Sequence, residues 1–472
     1  MLSQPISIPL WIFIILVMVS CVAAIEWIFL PSFRWYVRRR TNKALAEISS
    51  HLRISVRPFQ LTKKQVIVDR LLHDPEVMKA IDEHAKDNNL SREKSLSIAK
   101  KYVGETVPSF NAYIYQRCSY WFAKKLSWHL YRVRGHVLDA KKLMNVDPDA
   151  TIVFVLNHRS NMDYILVSYL ASQSTTISYA VGEWAKFWPL KSLIQSMGAF
   201  FVHRNSRNSL YRKVLERYVH MATEQGVCQA VFPEGGLTRD GKMRPAKLGF
   251  IDYMLRSYDI KTKRDIVFVP VGINFDRVIE DRSLTRQLDP KAPGRSSWFI
   301  VKTTAHFFLK NSILRSTEER WKRFGYAGVN FGNPISLKEY CHENDVFFNQ
   351  LPREQRFEEI GTLAQHLMQR IEQVIPILPT PLIADILLEH REGLNHFDIK
   401  MKVHTTIEEL QKNGAPIKDS EIPKETTIDH AIQILEMRKL IVQKHDKYFI
   451  NNNEIKLLEY YANSIRHFRS NT

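Results

Sequence analysis

The residues best suited to chemistry stand together in a short polar turn. Residues 151–170 read TIVFVLNHRSNMDYILVSYL, where an apolar run rich in β-branched residues gives way to Asn157, His158, Arg159, Ser160, Asn161 and Asp163 before an apolar helical pattern begins. The pattern is strand, turn, helix, so these polar side chains project from a rigid scaffold. A neutral histidine beside a carboxylate is a ready general base, because the carboxylate fixes the tautomer and stabilises the imidazolium that forms on taking a proton. Residues five apart on an ideal helix lie roughly 140° apart, so His158 faces Asp163 only from the turn ahead of the helix. Ser160, a good amino cap, permits that geometry. It also supplies the other explanation, since Ser160 and Asp163 fit the S/T-x-x-D/E capping box, in which the aspartate serves the helix alone. The residues by themselves leave both explanations open. No third ligand stands at a metal-site spacing, and no GxSxG elbow of a serine hydrolase occurs.

Three later segments place further polar residues at the ends of apolar runs. Residues 198–204, GAFFVHR, end in Arg204 just ahead of a long helical pattern, where guanidinium charge and free backbone N–H groups act together on a phosphate. A solvated arginine in a basic region explains the same residue. Residues 227–232 read as a short strand that runs into PEGGLTRDGK. There the glycines let backbone approach a ligand, Glu234 is placed to accept hydrogen bonds from hydroxyls, and Arg239 and Lys242 are placed to neutralise phosphate. A plain exposed turn is the alternative. Residues 266–273, IVFVPVGI, form another buried strand in which Pro270 shapes a wall, and Asp276 with Arg277 reads as a local contact.

The segment NHRSNMDYILVSYL resembles the first block of the membrane glycerolipid acyltransferases, and within them it is most similar to members that acylate glycerol 3-phosphate and carry HRSxMDYxLxSY. Three further blocks follow in the family's order: GAFFVHR is similar to GxxFxxR, FPEGGLTRDGK to EGxRSRxG, and Pro270 matches the fourth block's proline. The sequence departs at Leu237 and Thr238, where the family has arginine and serine. The resemblance implies His158 as base and Asp163 as its orienting partner, and it puts Arg204, Glu234, Gly235 and Arg239, with Lys242 beside them, at the acceptor.

The rest of the chain frames this core. Its 472 residues exceed one ordinary domain, and 67 Lys and Arg against 49 Asp and Glu give a formal charge of +18, which favours anionic partners. Cys21, Cys118, Cys228 and Cys341 are scattered, with neither a disulfide framework nor metal spacing, and read as buried thiols. Residues 9–30 are about long enough to cross a bilayer, interrupted by Glu26, and are followed by Arg34, Arg38, Arg39, Arg40 and Lys43. The positive flank places the bulk of the chain on the cytoplasmic side; an interfacial helix is the other reading. Residues 62–130 carry helical periodicity, with Asp74 and Pro75 as a helix start and an aromatic, basic stretch at 110–131. Residues 135–149 lead into the strand, 176–181 and 326–331 read as strands, and 183–197 as a helix. Past Pro376, Pro379 and Pro381 come helices and a hairpin, KLIVQKHDKYFI, and the terminal LLEYYANSIRHF resembles the family's end.

The expected architecture is α/β: an acyltransferase core of a mixed sheet flanked by helices, with a helical amino-terminal region and a helical carboxyl-terminal extension. Its divisions are 1–43, membrane anchor and basic flank; 44–150, helical; 151–340, catalytic core; and 341–472, mainly helical. The implied reaction is acyl transfer from acyl-CoA or acyl-carrier protein to the sn-1 hydroxyl of glycerol 3-phosphate, with no cofactor and no metal, on a membrane and without nucleic acid. Two readings stand beside it: the same chemistry on lysophosphatidate or dihydroxyacetone phosphate, and a membrane-tethered nucleic-acid-binding protein built on the positive charge and a winged-helix-like terminal module. Backbone N–H groups near the His158 turn are the expected donors to the tetrahedral oxyanion.

Overall fold

The computed structural model describes residues 57, 59, 62–109, 120–171, 177–182, 195, 198–203, 206, 208–261, 264–289, 317–417 and 422–469. The chain divides into two compact units, Met1–Glu47 and Ile48–Thr472, and every described residue belongs to the second. The segment 9–30 and its basic flank, all of 110–119, most of the 183–197 stretch, and Arg204 and Arg207 lie outside the described residues, as do Cys21 and Cys118. Cys228 and Cys341 are buried and in no disulfide among the described residues, and burial pushes the Cys341 thiol up to about 11.

A mixed sheet forms the centre. In chain order its strands are β1 (Arg132–Val137), β2 (Thr151–Leu156), β3 (Ser178–Gly182), β4 (Phe200–Val202), β5 (Gln229–Val231), β6 (Ile266–Phe275), β7 (Tyr326–Phe331) and β8 (Ile335–Ser336). Across the sheet they run β1-β7-β6-β2-β5-β3-β4, with β8 also pairing β6. β6, β2, β5, β3 and β4 are mutually parallel, and β7 is antiparallel to β6. All residues of β2 and β6 are buried, as expected of parallel strands covered on both faces. The chain leaves β2 toward one edge, returns beside it as β5, and crosses to the other side as β6. The carboxyl ends of β2 and β5 therefore open side by side, where open α/β sheets place ligands.

Pro270 sits inside a central strand, normally a poor place for a residue without an N–H. Its carbonyl accepts from Gly332 N at 2.8 Å, so its nitrogen faces the same edge. That edge is paired with β8 through Val267 and Phe268 and with β7 from Val271 onward, so Pro270 falls in the break between the two partners. No ladder bond is lost there.

Both faces are covered by helices. Val153 and Val155 of β2 join one cluster with Leu71, Val77 and Val103 of the amino-terminal helices, Val214 and Tyr218 of the Ser209–Glu224 helix, and Leu363 and Leu367 of the Arg353–Glu372 helix. Phe154, pointing to the opposite face, meets Phe331 with ring centroids 6.0 Å apart. The amino-terminal helices thus pack on the core instead of standing apart. Asp74 does cap its helix, accepting from Glu76 N and Val77 N, with Pro75 at the first position.

Residues 132–137 form strand β1, whereas the sequence suggested only a helical region and a lead-in. The strand alternates arginine with small or apolar residues, and its arginines cover aromatic rings: Arg134 lies 3.6 Å from the Tyr326 ring and Arg132 5.1 Å from Trp321. An edge strand covered by cation–π contacts leaves no apolar alternation to read.

The carboxyl-terminal hairpin exists as β10 (Ile441–Lys444) and β11 (Lys447–Ile450), joined by β9 (Leu394–Asn395) in the order β10-β11-β9. Helices Pro379–Glu389, His396–Lys412 and Glu425–Met437 accompany this small sheet, the element order that the sequence suggested as winged-helix-like. The helix that reads a groove in such modules, Glu425–Met437, is packed against the Thr317–Phe324 helix, and His430 Nε2 lies 3.1 Å from the Trp321 carbonyl. Pro379 and Pro381 stand in the first turn of a buried helix.

Candidate active site

His158 stands on the turn between β2 and the Met162–Ala171 helix, and its Nδ1 lies 2.9 Å from Asp163 Oδ2. The same Oδ2 accepts Arg159 N at 2.7 Å and Ser160 N at 3.0 Å, while Ser160 Oγ accepts Met162 N at 3.1 Å. The two sequence explanations for Asp163 are therefore satisfied together: one oxygen caps the helix start and holds the histidine ring. With Nδ1 donating to the carboxylate, the neutral ring presents its lone pair at Nε2. That nitrogen is buried and has no hydrogen-bond partner among the described residues. The ring rests on Phe232, centroids 4.2 Å apart, and is met edge-on by Tyr164 at 5.4 Å.

Backbone N–H groups of the turn do not supply the expected oxyanion donors. His158 N donates to Glu234 Oε1 at 2.7 Å, Arg159 N and Ser160 N to Asp163, and Asn161 N to Glu280 Oε1 at 3.3 Å. The carboxylates that stiffen the turn occupy these donors.

Glu234 likewise differs from its expected place at the acceptor. It is 1% exposed, and its second oxygen accepts Arg244 N at 2.8 Å, so it fastens the loop after β5 to the His158 turn. Burial is the largest influence on its carboxyl and pushes it up to about 7, against the pull of the His158 and Arg244 N–H groups and the Arg159 charge. A carboxyl whose pKa is higher folded than unfolded stabilises fully below about 4.5 and loses that share as pH rises through about 7. Stability is thus expected to fall between about pH 4.5 and 8 by an amount on the order of 3 kcal/mol attributable to this group. Unfolding titrations of wild type and Glu234→Gln check it: the variant should show a flatter slope, and equal slopes contradict the assignment.

Gly235 has φ +64, and a Cβ there would lie 2.6 Å from Lys247 Cδ, so the turn after Glu234 requires glycine. Thr238, where the family pattern has serine, is buried and holds the next turn: its hydroxyl donates to the Lys242 carbonyl at 2.6 Å and accepts Gly241 N at 3.1 Å. Thr238 N also donates to the His158 carbonyl at 3.0 Å. The exposed Arg239 and Lys242 are thereby carried on a loop pinned to the histidine's own backbone. Arg204 lies outside the described residues, and the strand before it, β4, is in place beside β3.

Four supports were not legible as such. Asn157 pairs with β6 like a strand residue, its amide donating to the Ile273 carbonyl at 2.9 Å and accepting Ile273 N at 2.7 Å. Arg159 is buried and donates to Asn274 Oδ1 at 3.2 Å and the Gly241 carbonyl at 2.9 Å. Glu280 accepts Ser160 Oγ at 2.8 Å and Asn161 Nδ2 at 3.0 Å, and burial pushes its carboxyl up. Tyr460, on the Ile455–Ala462 helix, lies under the Arg159 guanidinium at 5.6 Å from its ring centroid, and Asn463 Nδ2 donates to the Asp240 carbonyl at 2.8 Å. Only the resemblance of LLEYYANSIRHF pointed to this region, and it did not say that the segment touches the site. Asp276, read as a local contact, accepts Tyr326 N at 2.8 Å and Thr380 N at 2.9 Å, joining β7 to the terminal helices.

Comparison with known proteins bears on this arrangement. A family model described as acyltransferase matches residues 138–274, and one described as the glycerol-3-phosphate acyltransferase C-terminal region matches residues 311–470. Among relatives, a glycerol-3-phosphate acyltransferase of Pseudomonas aeruginosa (strain UCBPP-PA14) is 27% identical over 446 residues, 91% of this chain and 51% of its own. One from Aeromonas hydrophila is 28% identical over 422 residues, 86% of this chain and 50% of its own. The chain spans about half the length of these relatives. Among solved structures, a 1-acyl-sn-glycerophosphate acyltransferase of Thermotoga maritima aligns over 54% of this chain and 80% of its own at 18% identity, with a TM-score of 0.29, too loose a superposition to inform the fold.

Proposed function

We propose that this chain, which belongs to the glycerol-3-phosphate acyltransferase family, transfers a fatty acyl group from a thioester, acyl-CoA or acyl-carrier protein, to the sn-1 hydroxyl of glycerol 3-phosphate. The observation that carries this reading is the His158–Asp163 pair, with Nδ1 bound at 2.9 Å and Nε2 left as the acceptor. In this mechanism Nε2 takes the proton of the acceptor hydroxyl as its oxygen attacks the thioester carbonyl carbon. Asp163 stabilises the imidazolium. The tetrahedral intermediate collapses with cleavage of the carbon–sulfur bond, and the imidazolium returns its proton to the departing thiolate. The step is direct and needs no acyl-enzyme.

Arg239 and Lys242, with Arg204, hold the acceptor's phosphate in this reading, and Glu234 is a positioning residue that fixes the loop carrying the first two. Gly235 makes the loop's approach possible. A single anchor formed by residues 9–30, with the basic flank and the catalytic unit on the cytoplasmic side, completes the proposal and would bring the site to its lipid product.

Replacing Arg239 and Lys242 together by glutamine tests the acceptor assignment. Losing charge-assisted bonds of this kind is worth roughly tenfold or more in binding, so the KM for glycerol 3-phosphate should rise by about that factor, with the KM for the acyl donor little changed. A rise confined to the donor's KM contradicts the placement.

A further inference from the structure

A second cationic feature stands apart from the 233–242 loop. A cavity of about 340 Å³ is lined, among the described residues, by Arg277, Arg282, Arg323, Met437, Arg438 and Lys439: five cations, one thioether and no carboxylate. It shares no residue with the proposed acceptor loop.

Three of the four guanidinium groups in this wall are held in place. Arg277 lies 4.7 Å over the Phe324 ring and donates to the Arg323 carbonyl at 3.2 Å. Arg282 donates to the Arg438 carbonyl at 3.0 Å and pairs with Glu454. Arg438 is 8% exposed; it pairs with Asp281 Oδ2 at 2.6 Å and donates to the Tyr461 hydroxyl at 2.7 Å. Lys439 follows with φ +59, a left-handed conformation that lysine seldom adopts, at the turn that brings it to the rim. Burial, and then the Arg438 charge, push the Arg277 guanidinium down to about 10. A solvated basic face would not carry that cost. Like charges gathered around a concave, partly buried wall are stabilised when an anion enters, and planar guanidinium forks suit phosphate oxygens.

The geometry points to this cleft as a second anion site that takes a phosphate or diphosphate group, distinct from the acceptor's phosphate subsite. It adjoins the catalytic turn through consecutive residues: Asp281 holds Arg438, and Glu280 holds Ser160 and Asn161. Two sources offer the chemistry, the phosphates of a coenzyme A thioester and a free phosphorylated compound. The inference stands on the cleft and is independent of the acyl-transfer reading.

Calorimetric titration of the purified full chain with inorganic pyrophosphate tests it. Two double variants are compared with wild type, Arg323→Gln/Lys439→Gln in the cleft and Arg239→Gln/Lys242→Gln in the loop, each checked by circular dichroism. At the cleft the first variant should bind pyrophosphate roughly tenfold more weakly, whereas the loop variant should keep the cleft's affinity and lose only binding at the acceptor loop. Excess coenzyme A separates the sources: displacement of pyrophosphate assigns the site to the thioester donor, and persistence assigns it to a free phosphate compound. Absence of pyrophosphate binding to wild type, or equal binding by wild type and the cleft variant, overturns the proposal, whatever the enzyme assay shows.

Discussion

Replacing His158 with alanine is expected to lower acyl transfer by about 10²- to 10⁴-fold, the usual worth of a positioned general base. The ring fills a site against Phe232 and Tyr164, so its removal also leaves a cavity. His158→Asn separates the two effects, since its amide is nearer in volume, retains a donor toward Asp163 and has no basic nitrogen. Asp163 keeps its backbone bonds to Arg159 and Ser160 in either variant, so the turn stays capped. Initial rates at saturating acceptor, with a thermal unfolding profile as control, provide the measurement. Similar losses in both folded variants fit a base at Nε2; activity retained by His158→Asn does not.

The second large effect concerns a residue with no chemistry of its own. Gly241 has φ +87, and a Cβ placed there would lie within a bond length or so of the Tyr460 carbonyl, a backbone atom that cannot swing aside. Its own carbonyl accepts from the buried Arg159 and its N–H donates to Thr238. Gly241→Ala therefore pushes the Ile455–Ala462 helix away from the His158 turn, and a destabilisation of about 2–4 kcal/mol with loss of activity is expected. Gly104 is the internal control. It lies in the Arg92–Thr106 helix with nothing within 4 Å of a new Cβ, so alanine there should be neutral or stabilise by up to about 1 kcal/mol. Thermal inactivation half-lives of the two variants decide the point: equal behaviour removes the claim that the terminal helix braces the site.

The sheet was legible where strands are apolar on both faces. β2 and β6 announced themselves through the runs TIVFVL and IVFVPVGI, because parallel central strands admit little else. β4 read only as an apolar block because three residues give no period, and β1 hid its edge position behind arginines that stack on rings from other elements. At the site, His158 and Asp163 were found by spacing, but their shared geometry was not, since one carboxylate oxygen serves ring and helix at once. Glu234 was read as a ligand for hydroxyls because a sequence shows a carboxylate's chemistry and not the backbone N–H groups that occupy it. Arg159, Glu280 and Tyr460 act across separations of more than a hundred residues, at distances that no local pattern encodes.

The most direct test is acylation of each acceptor in turn. Purified full chain, in detergent or reconstituted membranes, is incubated with a radiolabelled acyl thioester and glycerol 3-phosphate, lysophosphatidate or dihydroxyacetone phosphate, with the His158→Asn variant alongside. Labelled lysophosphatidate formed with glycerol 3-phosphate alone, and lost in the variant, is the predicted result. Preferential labelling of another acceptor, or the same labelling by wild type and variant, contradicts the account.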